Sequence, residues 1–204
     1  IKVQGIVLNK VDYKDNDRVL TLFSAQQGKI TVSCKGVKKQ NSKLRSASEV
    51  FAFGTFLLAE SKGRYTVTGF DSIDSFFELR QDFDRLSLGV MLLKICEKAI
   101  APGEEDVPLF SLLINSLHKL RDLTVHPAYT ASVFLFKFCC LFGYQPQLES
   151  CVKCSDNKDL LYLSAEAGGI LCKNCNEIPH VAITGGCLKY IKEICFSEFD
   201  DAFL

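Results

Sequence analysis

The sequence has few of the groups on which enzymes rely. Histidine occurs only three times, and no catalytic motif surrounds any of the three. The phosphate-binding P-loop, the dinucleotide-binding glycine motif, the zinc-protease H-E-x-x-H motif and the nucleophile elbow are all missing. The acidic cluster of Asp12, Asp15 and Asp17 lies in one turn between strands, which favours a solvated loop over a metal-dependent nuclease site. We therefore expect a protein that is not an enzyme.

Long apolar runs are also missing. No run reaches the roughly 18 residues that a membrane-spanning helix needs. The best candidate, residues 129–144, is too short and is interrupted by Lys137. The first residues start directly in a strand-like pattern and show no signal-peptide core. These features predict a cytoplasmic location.

The chain has no excess of charge of either sign, because 24 basic residues balance 24 acidic ones. Because the net charge is zero, the protein as a whole has no electrostatic field that would attract a polyanion. It hides an asymmetry, however: residues 1–80 carry 13 Lys and Arg against 8 Asp and Glu, whereas residues 81–204 carry 11 against 16. Such a split indicates that the two halves meet different partners.

Hydrophobic periodicity divides the chain into a β part and an α part. Five short strands with turn signals between them are predicted near residues 3–8, 18–24, 29–34, 51–58 and 65–70. Five strands in about 75 residues suit a small closed barrel, with an OB-fold as the natural candidate. From about Phe76 the period becomes helical, with helices predicted near residues 86–97, 109–120, 129–141 and 184–195. The expected fold class is α+β and multidomain, with an OB-fold domain at 1–75 and a helical domain at 76–204.

Two C-x2-C pairs, separated by 17 residues, predict a zinc site formed by Cys151, Cys154, Cys172 and Cys175. Two residues between cysteines let one tight turn present two thiolates, and two such turns complete the tetrahedral shell of one zinc ion. Four protein ligands leave no open position for water or substrate, so the zinc would be structural. The site would stabilise a small module at about residues 151–180.

Other interpretations of the cysteines remain open. The two pairs could form disulfides, remain free thiols or act as a redox pair, and His180 could replace one ligand. The remaining six cysteines lie on apolar faces, and we expect most of them to be buried free thiols. They are Cys34, Cys96, Cys139, Cys140, Cys187 and Cys195.

A basic stretch lies between the third and fourth predicted strands. Six cations fall within 17 residues that contain no acidic residue: Lys29, Lys35, Lys38, Lys39, Lys43 and Arg45. Such a stretch can neutralise phosphates and release counterions. Composition alone favours a solvated hairpin over a DNA contact. Phe51, Phe53 and Tyr65 could offer stacking platforms for bases, although alternate aromatics in a strand are more typical of a barrel core.

The order of these features resembles the RecO family of bacterial DNA-repair recombination mediators along nearly the whole chain. Residues 35–39, with the sequence KGVKK, resemble the family's basic segment, and residues 76–79 resemble the start of its helical domain. Residues 143–151, with the sequence GYQPQLESC, are similar to the segment that leads into its cysteine module. The chain departs from the family pattern at residues 48–51, which replace an apolar-proline element, and at Lys137, which replaces a usual Glu.

The resemblance implies an OB-fold, a helical domain and a zinc module, together with a set of activities and partners. It implies binding of single- and double-stranded DNA, annealing of complementary strands and an association with the nucleoid. It also implies work with RecR to load RecA onto strands coated by single-strand-binding protein, whose acidic C-terminal tail docks on the helical domain. The DNA contacts that it implies are Lys35, Lys38, Lys39, Lys43 and Arg45.

Two other functions are compatible with the residues alone. One is an adaptor whose barrel, helices and zinc module all bind proteins. The other is an RNA-binding or translation factor that combines an OB-fold with zinc.

Overall fold

A computed structural model describes residues 1–177 and 181–197 of the chain. It contains two compact units, Ile1–Ala131 and Ser132–Leu204. His180, the alternative zinc ligand, lies outside the described residues.

The first unit starts with a closed barrel of five strands. They are β1 (Lys2–Tyr13), β2 (Asp17–Ser24), β3 (Gly28–Cys34), β4 (Phe53–Ser61) and β5 (Arg64–Asp74). Their order around the barrel is β1-β2-β3-β5-β4, in which β3 and β5 run parallel and the other neighbours run antiparallel. This arrangement confirms the predicted OB-fold barrel.

Alternate residues of the strands fill the barrel. Leu20, Leu22, Val32 and Phe56 are completely buried there. Strand β1 breaks the alternation, because Ile6, Val7 and Leu8 are buried in succession. The second face of this strand is covered by helix α1 (Phe83–Ala99) of the same unit.

The aromatic side chains that could have stacked on bases belong to the interior. Phe51 is 2% exposed and Phe53 is 6% exposed, and Tyr65 packs half-buried against the barrel core. The interpretation of these residues as core is therefore confirmed.

Two helices complete the first unit. Helix α1 (Phe83–Ala99) starts at Asp82, whose carboxylate accepts hydrogen bonds from the N–H groups of Asp84 and Arg85. Helix α2 (Val107–Leu120) starts at Asp106 in the same way and carries Pro108 in its first turn. Both helices belong to the same compact unit as the barrel. The domain boundary near residue 75 follows the change from strands to helices, and it stays a prediction.

Helix α3 (Pro127–Leu141) leads into the second unit, which contains a small sheet and a last helix. The sheet has the order β7-β6-β8, with β6 at Leu160–Ser164, β7 at Gly169–Cys172 and β8 at Val181–Ala182. Helix α4 (Gly185–Phe196) is capped by the hydroxyl of Thr184. Leu148, Ile191 and Cys195 form its buried core. All four predicted helices are present.

Short 3-10 helices span Ser46–Ser48, Phe77–Gln81 and Lys173–Cys175. Within residues 1–177 and 181–197, no helix is both long enough and apolar enough to cross a lipid bilayer.

The six cysteines outside the module differ in burial, and Cys140 among them is half-buried. Cys34, Cys96 and Cys195 are buried, as expected, and burial raises the pKa of Cys96 to about 12. The expectation was wrong for Cys139 and Cys187, which are exposed. Both lie on helix surfaces, where the apolar character of the surrounding sequence does not reveal which side faces the solvent.

Candidate metal centre and nucleic-acid interface

The structure brings the four predicted zinc ligands together. The sulfur atoms of Cys151, Cys154, Cys172 and Cys175 all lie within 4.8 Å of one another. The sulfur atoms of Cys154 and Cys172 are 3.7 Å apart. A tetrahedron with metal–sulfur bonds of roughly 2.3 Å has edges of about 3.8 Å, so the spacing fits one shared ion. Two disulfides would instead separate the atoms into bonded pairs at about 2.05 Å.

Two turns present these thiols. The first follows Cys151, whose carbonyl accepts a hydrogen bond from the N–H of Ser155 at 2.8 Å. The second follows β7, where Cys172 ends the strand and a 3-10 helix carries Cys175. A hydrogen bond from the N–H of Val152 to the carbonyl of Ile170, at 3.0 Å, joins the two turns.

A glycine pair forms the end of the β6–β7 connection, which leads through β7 to the second turn. Gly168 has a φ of +73°, which a side chain would strain. A Cβ on Gly169 would lie 2.2 Å from the carbonyl oxygen of Gln147, which is closer than atoms can approach. Both positions therefore require glycine.

Without a bound cation, the surroundings of the sulfur atoms favour ionisation of one thiol and oppose ionisation of the others. Burial opposes ionisation of Cys151, but hydrogen bonds from the backbone N–H groups of Cys172, Cys154 and Lys153 lower its pKa to about 6. The neighbouring thiols of Cys154 and Cys172 raise the pKa of Cys175 to about 12. Four thiolates can coexist here only if a cation balances their charge.

The basic stretch forms an ordered turn-rich segment on the barrel surface, which we call the basic segment (residues 35–45). The carboxylate of Asp17 accepts a hydrogen bond from the N–H of Gly36 at 2.8 Å. The N–H of Lys38 donates to the carbonyl of Asn16 at 3.1 Å. Val37 is 1% exposed and Leu44 packs against the barrel core. The backbone is thus fixed at both ends while the intervening side chains project outward.

All five predicted DNA-contacting side chains are exposed: Lys35, Lys38, Lys39, Lys43 and Arg45. Within the part of the chain that the structure describes, four of them have no ion-pair partner, Lys38 being the exception. Lys29, the remaining cation of the stretch, lies apart, because its ammonium donates to the carbonyl of Glu97 on α1.

Lys38 is held by a carboxylate. Its ammonium lies 3.0 Å from the carboxylate of Asp12, which also accepts a hydrogen bond from Arg18 at 2.9 Å. Hydrogen bonds from these two side chains lower the pKa of Asp12. Exposed ion pairs are screened by solvent and contribute little to stability, so an incoming phosphate can replace Asp12 at little cost. Asp12 therefore belongs to a surface charge network, which the sequence did not predict.

The structure also contains a surface feature that the sequence did not reveal. A cleft of about 510 Å³ opens at one end of the barrel and includes Tyr13, Lys14, Lys35, Lys62 and Arg64 in its wall. The sequence predicted a turn between the fourth and fifth strands but offered no reason to place it beside residue 13. The juxtaposition follows from barrel closure, which no local pattern encodes.

Comparison with known proteins assigns both halves of the chain. The family model described as Recombination protein O N terminal matches residues 1–76, and the model described as Recombination protein O C terminal matches residues 80–184. The two matched ranges meet where the strands end and the helices start.

Similar proteins are found in several bacteria, and each has the name DNA repair protein RecO. The relative from Acetivibrio thermocellus is 31% identical over 206 residues, which cover 100% of this chain and 82% of the relative. The relative from Bacillus pumilus is 32% identical over 86% of this chain and 68% of its own length. The relative from an Exiguobacterium species is 31% identical over 84% and 68%. From these matches and from the barrel, helices and cysteine cluster described above, the chain belongs to the RecO family.

Proposed function

We propose that this chain is a DNA-repair and recombination mediator that binds DNA through the basic segment of its barrel. The observation that carries the proposal is the set of exposed cations on an anchored backbone, four of them without an ion pair among the described residues. A free cation can neutralise a phosphate, and so release the counterions condensed on the DNA, without first breaking a protein contact. The names of the relatives, DNA repair protein RecO, support the same conclusion.

Strand annealing is part of the proposal and needs no bond chemistry. A basic surface that holds two complementary strands lowers their mutual repulsion and raises their local concentration. The protein would then act as a mediator and not as an enzyme. Single- and double-stranded DNA would both bind, because phosphate contacts carry no sequence information.

The cysteine cluster would hold one structural zinc ion per chain. Its thiolates would occupy all four positions of the tetrahedron, so the ion would contribute stability without offering a site to substrate. The module contains only a small buried cluster around Cys151, Leu171 and Cys172. Zinc would supply the stability that so small a core cannot.

The proposed partners follow from family membership. They are RecR, single-strand-binding protein through its acidic C-terminal tail, and RecA, which would be loaded onto the coated strand. A cytoplasmic, nucleoid-associated location belongs to the same proposal.

The test is a DNA titration with matched variants. The combined substitution Lys39→Ala, Lys43→Ala and Arg45→Ala should weaken binding to single strands and duplexes alike, irrespective of sequence. Lys98→Ala removes an exposed cation from α1 in the same unit and should leave the affinity nearly unchanged. If the triple variant and Lys98→Ala lowered the DNA affinity equally, the basic segment would be excluded as the DNA-binding surface. Preferential binding of an RNA oligomer in competition would favour the RNA-binding alternative.

A further inference from the structure

Two cysteines outside the cysteine module meet where α3 packs on α4. Cys140 is the residue before the last of α3, and Cys195 is the residue before the last of α4. Cys140 packs on the small core that contains Ile191 and Cys195, and the two thiols are in hydrogen-bonding contact. Residues four positions apart lie on one face of a helix, and Cys140 shares its face with Phe136 of the same core. The two thiols therefore belong to the packed contact between the helices.

The two thiols differ in their access to solvent. Cys195 is 8% exposed, whereas Cys140 is half-buried. Cys139 is exposed, and as the neighbour of Cys140 in a helix it points about 100° away around the helix axis. A small solute therefore reaches the pair through Cys140 and not through Cys195.

A buried lysine adds a positive charge to this contact. Lys137 is 6% exposed and lies one turn before Cys140 on α3, and its ammonium donates a hydrogen bond to the carbonyl of Ser197 at the end of α4. Burial lowers the pKa of Lys137, whereas the neighbouring sulfur atoms of Cys140 and Cys195 raise it. The same attraction stabilises a thiolate of the pair, and the thiolate is the nucleophilic form of cysteine.

The pair carries no more than one negative charge near neutral pH. Burial and the neighbouring Cys140 raise the pKa of Cys195 to about 12, and Lys137 offsets only part of this. A Cys140 thiolate would thus accept a hydrogen bond from the Cys195 thiol. Oxidation of Cys140 to a neutral group removes one cause of the raised pKa, so that Cys195 ionises more readily after that step.

We propose that Cys140 and Cys195 form a site of reversible oxidation that takes a hydroperoxide and closes a disulfide between α3 and α4. First, the Cys140 thiolate attacks one oxygen of hydrogen peroxide, the O–O bond breaks, and the departing hydroxide takes up a proton, which leaves water and a sulfenic acid. The Cys195 sulfur then attacks the Cys140 sulfur, the S–OH bond breaks, and the hydroxide leaves as a second water with the proton of the Cys195 thiol. Two thiols are oxidised and one peroxide is reduced to two molecules of water. A dithiol reductant restores both thiols by exchange.

The disulfide would close a loop around the cysteine module. Residues 151–175 lie between the two joined positions, 140 and 195. A cross-link stabilises a protein mainly by restricting its unfolded chain, and its effect grows with the length of the loop. Oxidation should therefore hold α4 on α3 and raise the melting temperature of the second unit by on the order of 10 °C.

Peptide mass mapping of the full chain tests the site. The protein is treated with hydrogen peroxide, alkylated in urea, separated as the monomer on a non-reducing gel and digested with chymotrypsin. A peptide pair that contains Cys140 and Cys195 should appear with the mass of its two reduced peptides less two hydrogens, and dithiothreitol should separate it. Cys140→Ser and Cys195→Ser should each abolish this pair. Cys139→Ser is the matched control and should keep it, and the melting temperature should rise on oxidation in Cys139→Ser but not in Cys195→Ser.

Three results would overturn the inference. One is a bond from Cys140 to Cys139 or to a cysteine of the module in place of Cys195. Another is oxidation of the two sulfur atoms to sulfinic acids without a bond between them. The third is alkylation of Cys140 and Cys195 to the same extent with and without peroxide. The unsubstituted protein alone distinguishes these results, so a variant that fails to fold does not weaken the test.

Discussion

Arg85 is a charged side chain of which only 6% is exposed. Its guanidinium donates hydrogen bonds to the carbonyl groups of Leu120, Asp122 and Val125, and Asp82 lies 3.5 Å away. Leu120 is the last residue of α2, where carbonyl groups have no partners within the helix, and the other two residues follow it. One residue of α1 thus fixes the end of α2 and the start of the connection to α3. Nothing in the sequence separates this arginine from the solvated ones, because the acceptors are distant backbone atoms.

Replacing Arg85 should therefore be costly. Arg85→Ala leaves buried carbonyl oxygens without donors, and we expect a loss of about 2–4 kcal/mol in the free energy of unfolding. Arg85→Lys should recover only part of it, because an ammonium lacks the planar fork that reaches three carbonyls. Urea denaturation followed by circular dichroism measures the loss. Lys98→Ala, in the same helix, should stay within about 0.5 kcal/mol, and a similar value for Arg85→Ala would contradict the assigned role.

At the scale of secondary-structure elements, a charge network joins strand β1 to the segment before β4. Glu49 accepts hydrogen bonds from Lys10 of β1 and from Arg18 of β2. Partial burial would raise the pKa of Glu49, but these hydrogen bonds outweigh it and hold the pKa below its ordinary value of 4.5. Since a lowered pKa favours the folded state only while the carboxylate is charged, this contribution is complete above pH 4.5 and is lost as the pH falls through the lowered pKa.

Glu49→Gln should make the protein less stable at neutral pH and reduce the further loss of stability below pH 4.5. Thermal unfolding at a series of pH values would show this as a flatter acid limb. Glu60→Gln is the matched control, since Glu60 is an exposed carboxylate of β4 with no ion pair among the described residues. An acid limb as steep in Glu49→Gln as in the original protein would refute the network's contribution.

The stability of the cysteine module should depend on its zinc ion. Cys154→Ser should abolish stoichiometric zinc binding and lower the melting temperature of the second unit, because a structural zinc contributes on the order of 10 kcal/mol. Cys187→Ser changes an exposed thiol outside the module and should retain one zinc per chain. Metal analysis and thermal denaturation with and without a chelator give both quantities. A zinc content near zero in the original protein would refute the proposed structural zinc site.

On the scale of the whole molecule, the features that could be predicted from the sequence were those that local sequence patterns indicate. Alternation and turn signals predicted all five barrel strands, and the cysteine spacing predicted which four sulfur atoms meet. The cleft could not be predicted, because Tyr13 and Lys62 come together only when β4 and β5 close the barrel. The pairing of Lys38 with Asp12 was missed for the same reason.

The central claim is that free cations of the barrel hold the DNA backbone, and the salt dependence of affinity tests it most directly. If about five phosphates of a single strand are contacted, the logarithm of the binding constant should fall with the logarithm of the salt concentration at a slope of roughly −3 to −4. The triple variant of Lys39, Lys43 and Arg45 should make that slope shallower by about 2. A slope near zero in the original protein, or one that the triple variant leaves unchanged, would contradict the account.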